Sequence, residues 1–233
     1  MSNKSLNLIS IALSLVFLSS CIKYYKISNQ ETPQGEHKKN DYTEMIQRNL
    51  KSKRVYDQFE TKATFDCLWM SDEMKESYVD LSGDKKGKND DEKDAQMRRQ
   101  LEEGKHWLSF YVLADIRNKT HSSLTDKESW WSMYLDIDGE KVPPISIKEV
   151  ELDPEIQQFF GSRFNRFKTP YLVKFPATDI GGKLYLQGGA EMHLIMNSPT
   201  KETKLTWSDK EHEKAMKILK WEGMTGEEDY YWG

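Results

Sequence analysis

Apolar residues return at every second position in a series of short runs, and this period restricts the fold more than any other feature of the chain. In HWLSFYVLADI the side chains of Leu108, Phe110, Val112, Ala114 and Ile116 share one side. TKATFDCLWM groups Ala63, Phe65, Cys67 and Trp69, and WWSMYLDIDGEKVPPISI groups Trp131, Met133, Leu135 and Ile137. A period of two belongs to a strand with one buried face, whereas a helix would repeat at 3.6. YLVKF, KLYLQGGAEMHLIM and KLTW continue the pattern, and Asp138-Gly139 and Gly188-Gly189 supply turns between strands.

Helix signals interrupt these runs without alternating regularly with them. Asp41 and Glu44 have the spacing of a capping box and predict a helix near 41–58, with Tyr42, Met45, Ile46 and Leu50 on one face. Ser71 opens a second helix that aligns Met74, Tyr78 and Leu81; residues 82–94 read as a charged loop, followed by a polar helix to Glu103. Asp153-Pro154-Glu155 places a cap, an N1 proline and an acid in order for a helix over 154–161. Ser208 and Glu211 predict a last helix carrying Ala215, Met216, Ile218 and Leu219. The expected fold is mainly β: an antiparallel, immunoglobulin-like β-sandwich decorated by short helices. The expected organisation is a helix over 41–60, one sandwich domain with helical insertions over 61–225, and an acidic aromatic tail, EEDYYWG, within 226–233.

With 12% aromatic residues, seven of them Trp, a chain of 233 residues can fill one core, which argues against global disorder. The formal charge is -4, and removal of residues 1–20, which hold one lysine and no acid, makes it one unit more negative. That balance gives no basic surface suited to nucleic acid, and the interspersed lysines and acids read as a solvated face.

The amino terminus has a different character. Lys4 precedes an apolar stretch from Leu6 to Leu18, the layout of a secretory signal, and the stretch falls short of the roughly 20 apolar residues that span a bilayer. Leu18-Ser19-Ser20-Cys21 resembles the lipobox of bacterial lipoproteins. The resemblance implies cleavage between Ser20 and Cys21, diacylglycerol on the Cys21 sulfur and acylation of the freed amine. Residues 1–20 are then a lipoprotein signal peptide, and residues 21–40, polar and interrupted by Pro33 and Gly35, a lipidated tether. Two or three acyl chains anchor a protein stably where one does not. Isoleucine rather than aspartate at position 22 implies, by resemblance to the sorting rule of diderm bacteria, the outer membrane over the inner one. With Cys21 acylated, Cys67 has no disulfide partner, and its place on an apolar strand face predicts a buried thiol.

No sequence motif nominates a catalytic centre. DIDGE, residues 136–140, resembles the start of a calcium loop but lacks the distal ligands and reads as a hairpin turn. Asp80, Ser82 and Asp84 imitate alternate ligand positions, with Lys85 where glycine is required. The five histidines are isolated, with His193 expected on the solvent side, and no H-E-x-x-H, G-x-S-x-G or phosphate-binding glycine loop occurs. No cofactor or metal is expected. On a regular strand Trp130 and Tyr134 lie opposite Trp131, which makes them candidates for stacking a sugar or a small molecule. The expected function is a non-catalytic, lipid-anchored envelope module that binds a protein partner; the alternatives are a glycan or small-molecule binder using Trp130 and Tyr134, and a hydrolase with an unrecognised site.

Overall fold

The computed structural model describes residues 36–117, 123–126, 128–186 and 191–208, with side chains from residue 42 onward. Ser20, Cys21, the tether as far as residue 35, the Gly188-Gly189 turn, the helix expected after Ser208 and the acidic tail lie outside the described residues. The chain divides into two units, Met1–Tyr42 and Thr43–Gly233, and the second contains the sheets.

Helix α1 (Glu36–Asn49) gives way at Leu50 to strand β1 (Leu50–Asp57). The helix therefore stops nine residues before its expected end. Its continuation, LKSKRVYD, pairs along its whole length with β2 (Glu60–Trp69), and sheet pairing outweighs the local helical period. Only Leu50 and Val55 are buried in β1, with a bulge at Val55/Tyr56, so an alternating pattern is missing from its sequence.

Helix α2 (Asp72–Lys86) starts as expected: the Ser71 hydroxyl accepts the Met74 N–H at 3.3 Å. It runs five residues into the stretch expected to be a loop and ends at Gly87, whose φ of 63° suits glycine. Helix α3 (Asp90–His106) opens on a full capping box between Asn89 and Glu92. The connection is thus three residues long, because two caps define it where charge density alone suggested a long loop.

Strand β3 (Trp107–Ile116) follows, then β4 (Ser132–Ile137) and β5 (Glu140–Val142) joined by the Asp138-Gly139 turn, where both residues have positive φ. Asp136 accepts the Gly139 N–H at 3.0 Å, which uses the DIDGE aspartate for the turn. After Pro143-Pro144 the chain crosses to the other sheet as β6 (Ser146–Glu149). Helix α4 (Pro154–Phe160) and a single 3-10 turn (Gly161–Arg163) lead to β7 (Thr169–Pro176), and β8 (Met192–Asn197) and β9 (Glu202–Trp207) complete the series. Residues 183–186 do not form the expected strand; Leu184 makes one isolated bridge to Thr178.

All pairings are antiparallel and build a five-stranded sheet, β1-β2-β3-β7-β6, and a four-stranded sheet, β5-β4-β8-β9. The unit is mostly β and sandwich-like. One core fills the space between the sheets: Ala63, Phe65 and Cys67 from β2, Phe110 and Val112 from β3, Met133 and Leu135 from β4, with Val173, Leu194 and Leu205 from β7, β8 and β9. Phe65 meets Trp131 edge-on at 5.0 Å, and Phe110 meets Trp207 at 5.3 Å. Cys67 is fully buried, and burial pushes its thiol well above its ordinary pKa.

The opposite face of the five-stranded sheet carries a second apolar set. Leu68, Leu113, Met74, Val79, Ile156, Phe159 and Phe160 are all buried. Helix α2 packs on α3 and on α4, so part of this outer face is roofed by helices while the part toward β1 stays open.

Candidate functional site

The open part of the outer face forms a polar cleft of about 680 Å³. Its floor is the row of outward positions Thr64 and Asp66 on β2 and Asp115 on β3, and its sides are β1 and the segment 162–168. Five cations line it, Lys53, Arg54, Arg117, Arg163 and Lys168, against two carboxylates, Asp66 and Asp115. On a chain with an acidic formal charge, this is a local excess of positive charge.

Asp66 organises the cleft. It sits between the inward-facing Phe65 and Cys67, so strand alternation turns it outward, and it is only 2% exposed. Such a carboxylate must be paired. Ser52, its cross-strand neighbour, donates to Oδ1 at 2.5 Å, and the Lys168 ammonium donates to Oδ2 at 2.5 Å. Arg163 Nε stands 3.8 Å from Oδ1. Lys168 also donates to the Arg163 carbonyl at 3.0 Å, which ties the segment after α4 to the sheet. That segment leaves α4 through Gly161, whose positive φ of 54° is a backbone conformation that glycine adopts without strain.

The remaining cations are not consumed in this network. Lys53 and Arg54 are exposed on an edge strand and form no ion pair among the described residues. Arg117 follows β3 and lies close enough to Glu60 to lower its carboxyl pKa, behind the stronger effect of Lys62. Beside the cleft is a second depression shared by Asp115, Arg117 and Asn165 with Phe167, which is 71% exposed. The surface therefore offers guanidinium and ammonium groups, hydroxyls from Thr61, Thr64 and Ser162, and an adjoining ring. These groups can bind carboxylates or other anions by charge-assisted hydrogen bonds.

The residues singled out from the sequence are placed elsewhere. Trp130 is 52% exposed and precedes β4, so strand alternation does not fix its side. Tyr134 is half-buried on β4, and Lys141 Nζ lies 5.1 Å from its ring centroid, a cation–π contact that occupies one ring face. His193 is less exposed than expected: it bonds Thr206 Oγ1 through Nδ1 at 3.0 Å. Asp153 does not cap α4 with its side chain; its carboxylate instead accepts the Tyr78 hydroxyl at 2.9 Å. Among the described residues no group of three or more His, Cys, Asp or Glu side chains could hold a metal ion, and no helix is long and apolar enough to cross a membrane.

Sequence reasoning did not find the cleft, because its cations come from stretches near 53, 117 and 163–168 that look like ordinary solvated surface. Asp66 was the available signal: a lone carboxylate inside TFDCLW, where its neighbours are apolar on both faces. No family model matches the chain, and no curated protein or solved structure matches it.

Proposed function

We propose that the chain is a lipid-anchored envelope protein, held through acyl chains on Cys21 and favouring the outer membrane. Its sandwich-like unit is a non-catalytic module that binds an acidic segment of a protein partner in the cleft around Asp66. The observation that carries the binding reading is the gathering of Lys53, Arg54, Arg117, Arg163 and Lys168 around one cleft, Arg54 and Arg117 from outward positions and Lys53 from the exposed edge strand. Asp66 fixes Lys168, which leaves the more exposed Lys53 and Arg54 as groups that an incoming anion can engage. Charge complementarity of this kind acts chiefly on association rate and partner choice, and salt weakens it. The anchor rests on Leu18-Ser19-Ser20-Cys21. We also infer an immunoglobulin-like relationship from the two facing antiparallel sheets, and no activity follows from that relationship.

The glycan-binding alternative asks for an open aromatic shelf, and Lys141 over Tyr134 weighs against Tyr134 as part of one. The test of the cleft is binding of a fluorescent oligoglutamate peptide to the full chain in detergent. Binding is expected to fall at least tenfold as salt is raised from about 50 to 300 mM and to be lost in Lys53→Glu/Arg54→Glu. Equal binding by the variant, or no salt dependence, refutes the cleft. The anchor is tested by metabolic labelling with a clickable fatty acid: labelling is expected in the wild type and absent in Cys21→Ala.

A further inference from the structure

The roofed part of the same sheet face contains a separate, more enclosed space. Between α2, α3, α4 and the strands β3 and β7 lies a cavity of about 280 Å³, near the lower end of the size range of small-molecule sites, about 300–1,000 Å³. Trp107, Ile156 and Leu172 give it apolar walls, and its polar walls include Lys75, Tyr78, Gln100, Tyr111 and the pair Glu103 and Lys174.

Lys75 is the unusual member. It is 7% exposed, on a helix face turned toward the sheet, where a lysine is rarely buried without a matched acceptor. Its ammonium donates to Asp72 at 2.8 Å, but the Asp72 side chain is 76% exposed, so solvent screens that charge. The other lysine of the cavity, Lys174, is paired with Glu103. The backbone makes room for Lys75: a Cβ added at Gly104 of α3 would stand 2.2 Å from its Nζ. Glycine within a helix is unfavourable, and here it coincides with a buried cation. The Tyr111 hydroxyl lines the same cavity and has no hydrogen-bond partner among the described residues, whereas the Tyr78 hydroxyl is engaged by Asp153.

We propose that this cavity binds a small, flat organic monocarboxylate, with the carboxylate on the Lys75 ammonium and the apolar body against Trp107, Ile156 and Leu172. One buried ammonium whose only carboxylate partner among the described residues faces water matches one negative charge rather than two. The Tyr111 hydroxyl and the Gln100 amide are the groups available to a polar substituent on that body. The site does not depend on the cleft around Asp66, which lies at the other part of the sheet face.

The test is calorimetric titration of the full chain in detergent with benzoate, 4-hydroxybenzoate and indole-3-acetate, each against its neutral amide. At least one acid is expected to bind, with its amide at least tenfold weaker. Lys75→Met, which keeps side-chain length and removes the charge, is expected to abolish the binding of that acid. Gly104→Ala displaces the flexible end of Lys75 and is expected to weaken binding at least tenfold while the unfolding midpoint is kept or raised, a combination that loss of structure cannot give. No binding by any of the three acids at about 10 mM, or unchanged affinity in folded Lys75→Met, overturns the proposal. If Lys75→Met does not fold, the same reading is taken from Gly104→Ala, and unchanged affinity there overturns it.

Discussion

The two faces of the five-stranded sheet are built from the same strands and differ in almost everything else. The inner face, with Phe65, Cys67, Phe110, Val112 and Val173, is apolar throughout and meets the second sheet. The outer face is mixed: Leu68 and Leu113 are buried on it, yet so is Asp66, and Lys75 of α2 is buried in the helical roof that covers part of it. Apolar packing is non-directional and depends on filling the right volume, whereas a buried charge requires a named partner at a fixed place. The inner face accordingly specifies the fold, and the outer face, where charges are held at a cost, is where binding is proposed.

Substitutions on the two faces should separate these roles. The largest effect is expected from Phe65→Ala on the inner face, which removes a fully buried ring beside Trp131 and should cost about 3–5 kcal/mol in denaturant unfolding. Asp66→Ala, one residue away on the outer face, should cost about 3 kcal/mol, since it takes the carboxylate from Lys168, which keeps only the Arg163 carbonyl, and the acceptor from Ser52. Unlike the first, this loss should be largely restored by adding Lys168→Met, which removes the stranded charge. Arg54→Ala should change stability by no more than about 0.5 kcal/mol, because the side chain is exposed and unpaired among the described residues, but it should weaken peptide binding. The smallest change concerns Cys67, whose thiol is buried and raised in pKa. It should stay unreactive toward a thiol reagent in the native protein and become labelled only as the chain opens.

The same contrast governs how much was legible beforehand. Inner-face positions alternate with hydrophobicity, so Ala63, Phe65 and Cys67, or Met133, Leu135 and Ile137, are assigned correctly from period alone. Strand β1 was misread because an edge strand with a bulge and only two buried residues carries no period, while the helix before it does. The helical pair α2–α3 was misjoined because the signals that end one helix and start the next, Gly87 and Asn89, sit inside a run of charges. The cleft was illegible for a different reason: no local pattern tells that Arg54, Arg117 and Lys168 converge, since strand pairing and the turn at Gly161 bring them together. Asp153 shows the same limit on a smaller scale, a residue with the position of a cap whose side chain serves Tyr78 instead.

The most direct measurement is site-specific photocrosslinking in intact cells that produce the full chain. A photoreactive residue at Thr64, on the floor of the cleft, is compared with one at Lys204, exposed on the far sheet. The account predicts a discrete protein adduct from position 64 that is lost when Lys53→Glu and Arg54→Glu are added, and none from position 204. An adduct that survives the charge reversal, or one that forms equally from both positions, would contradict it.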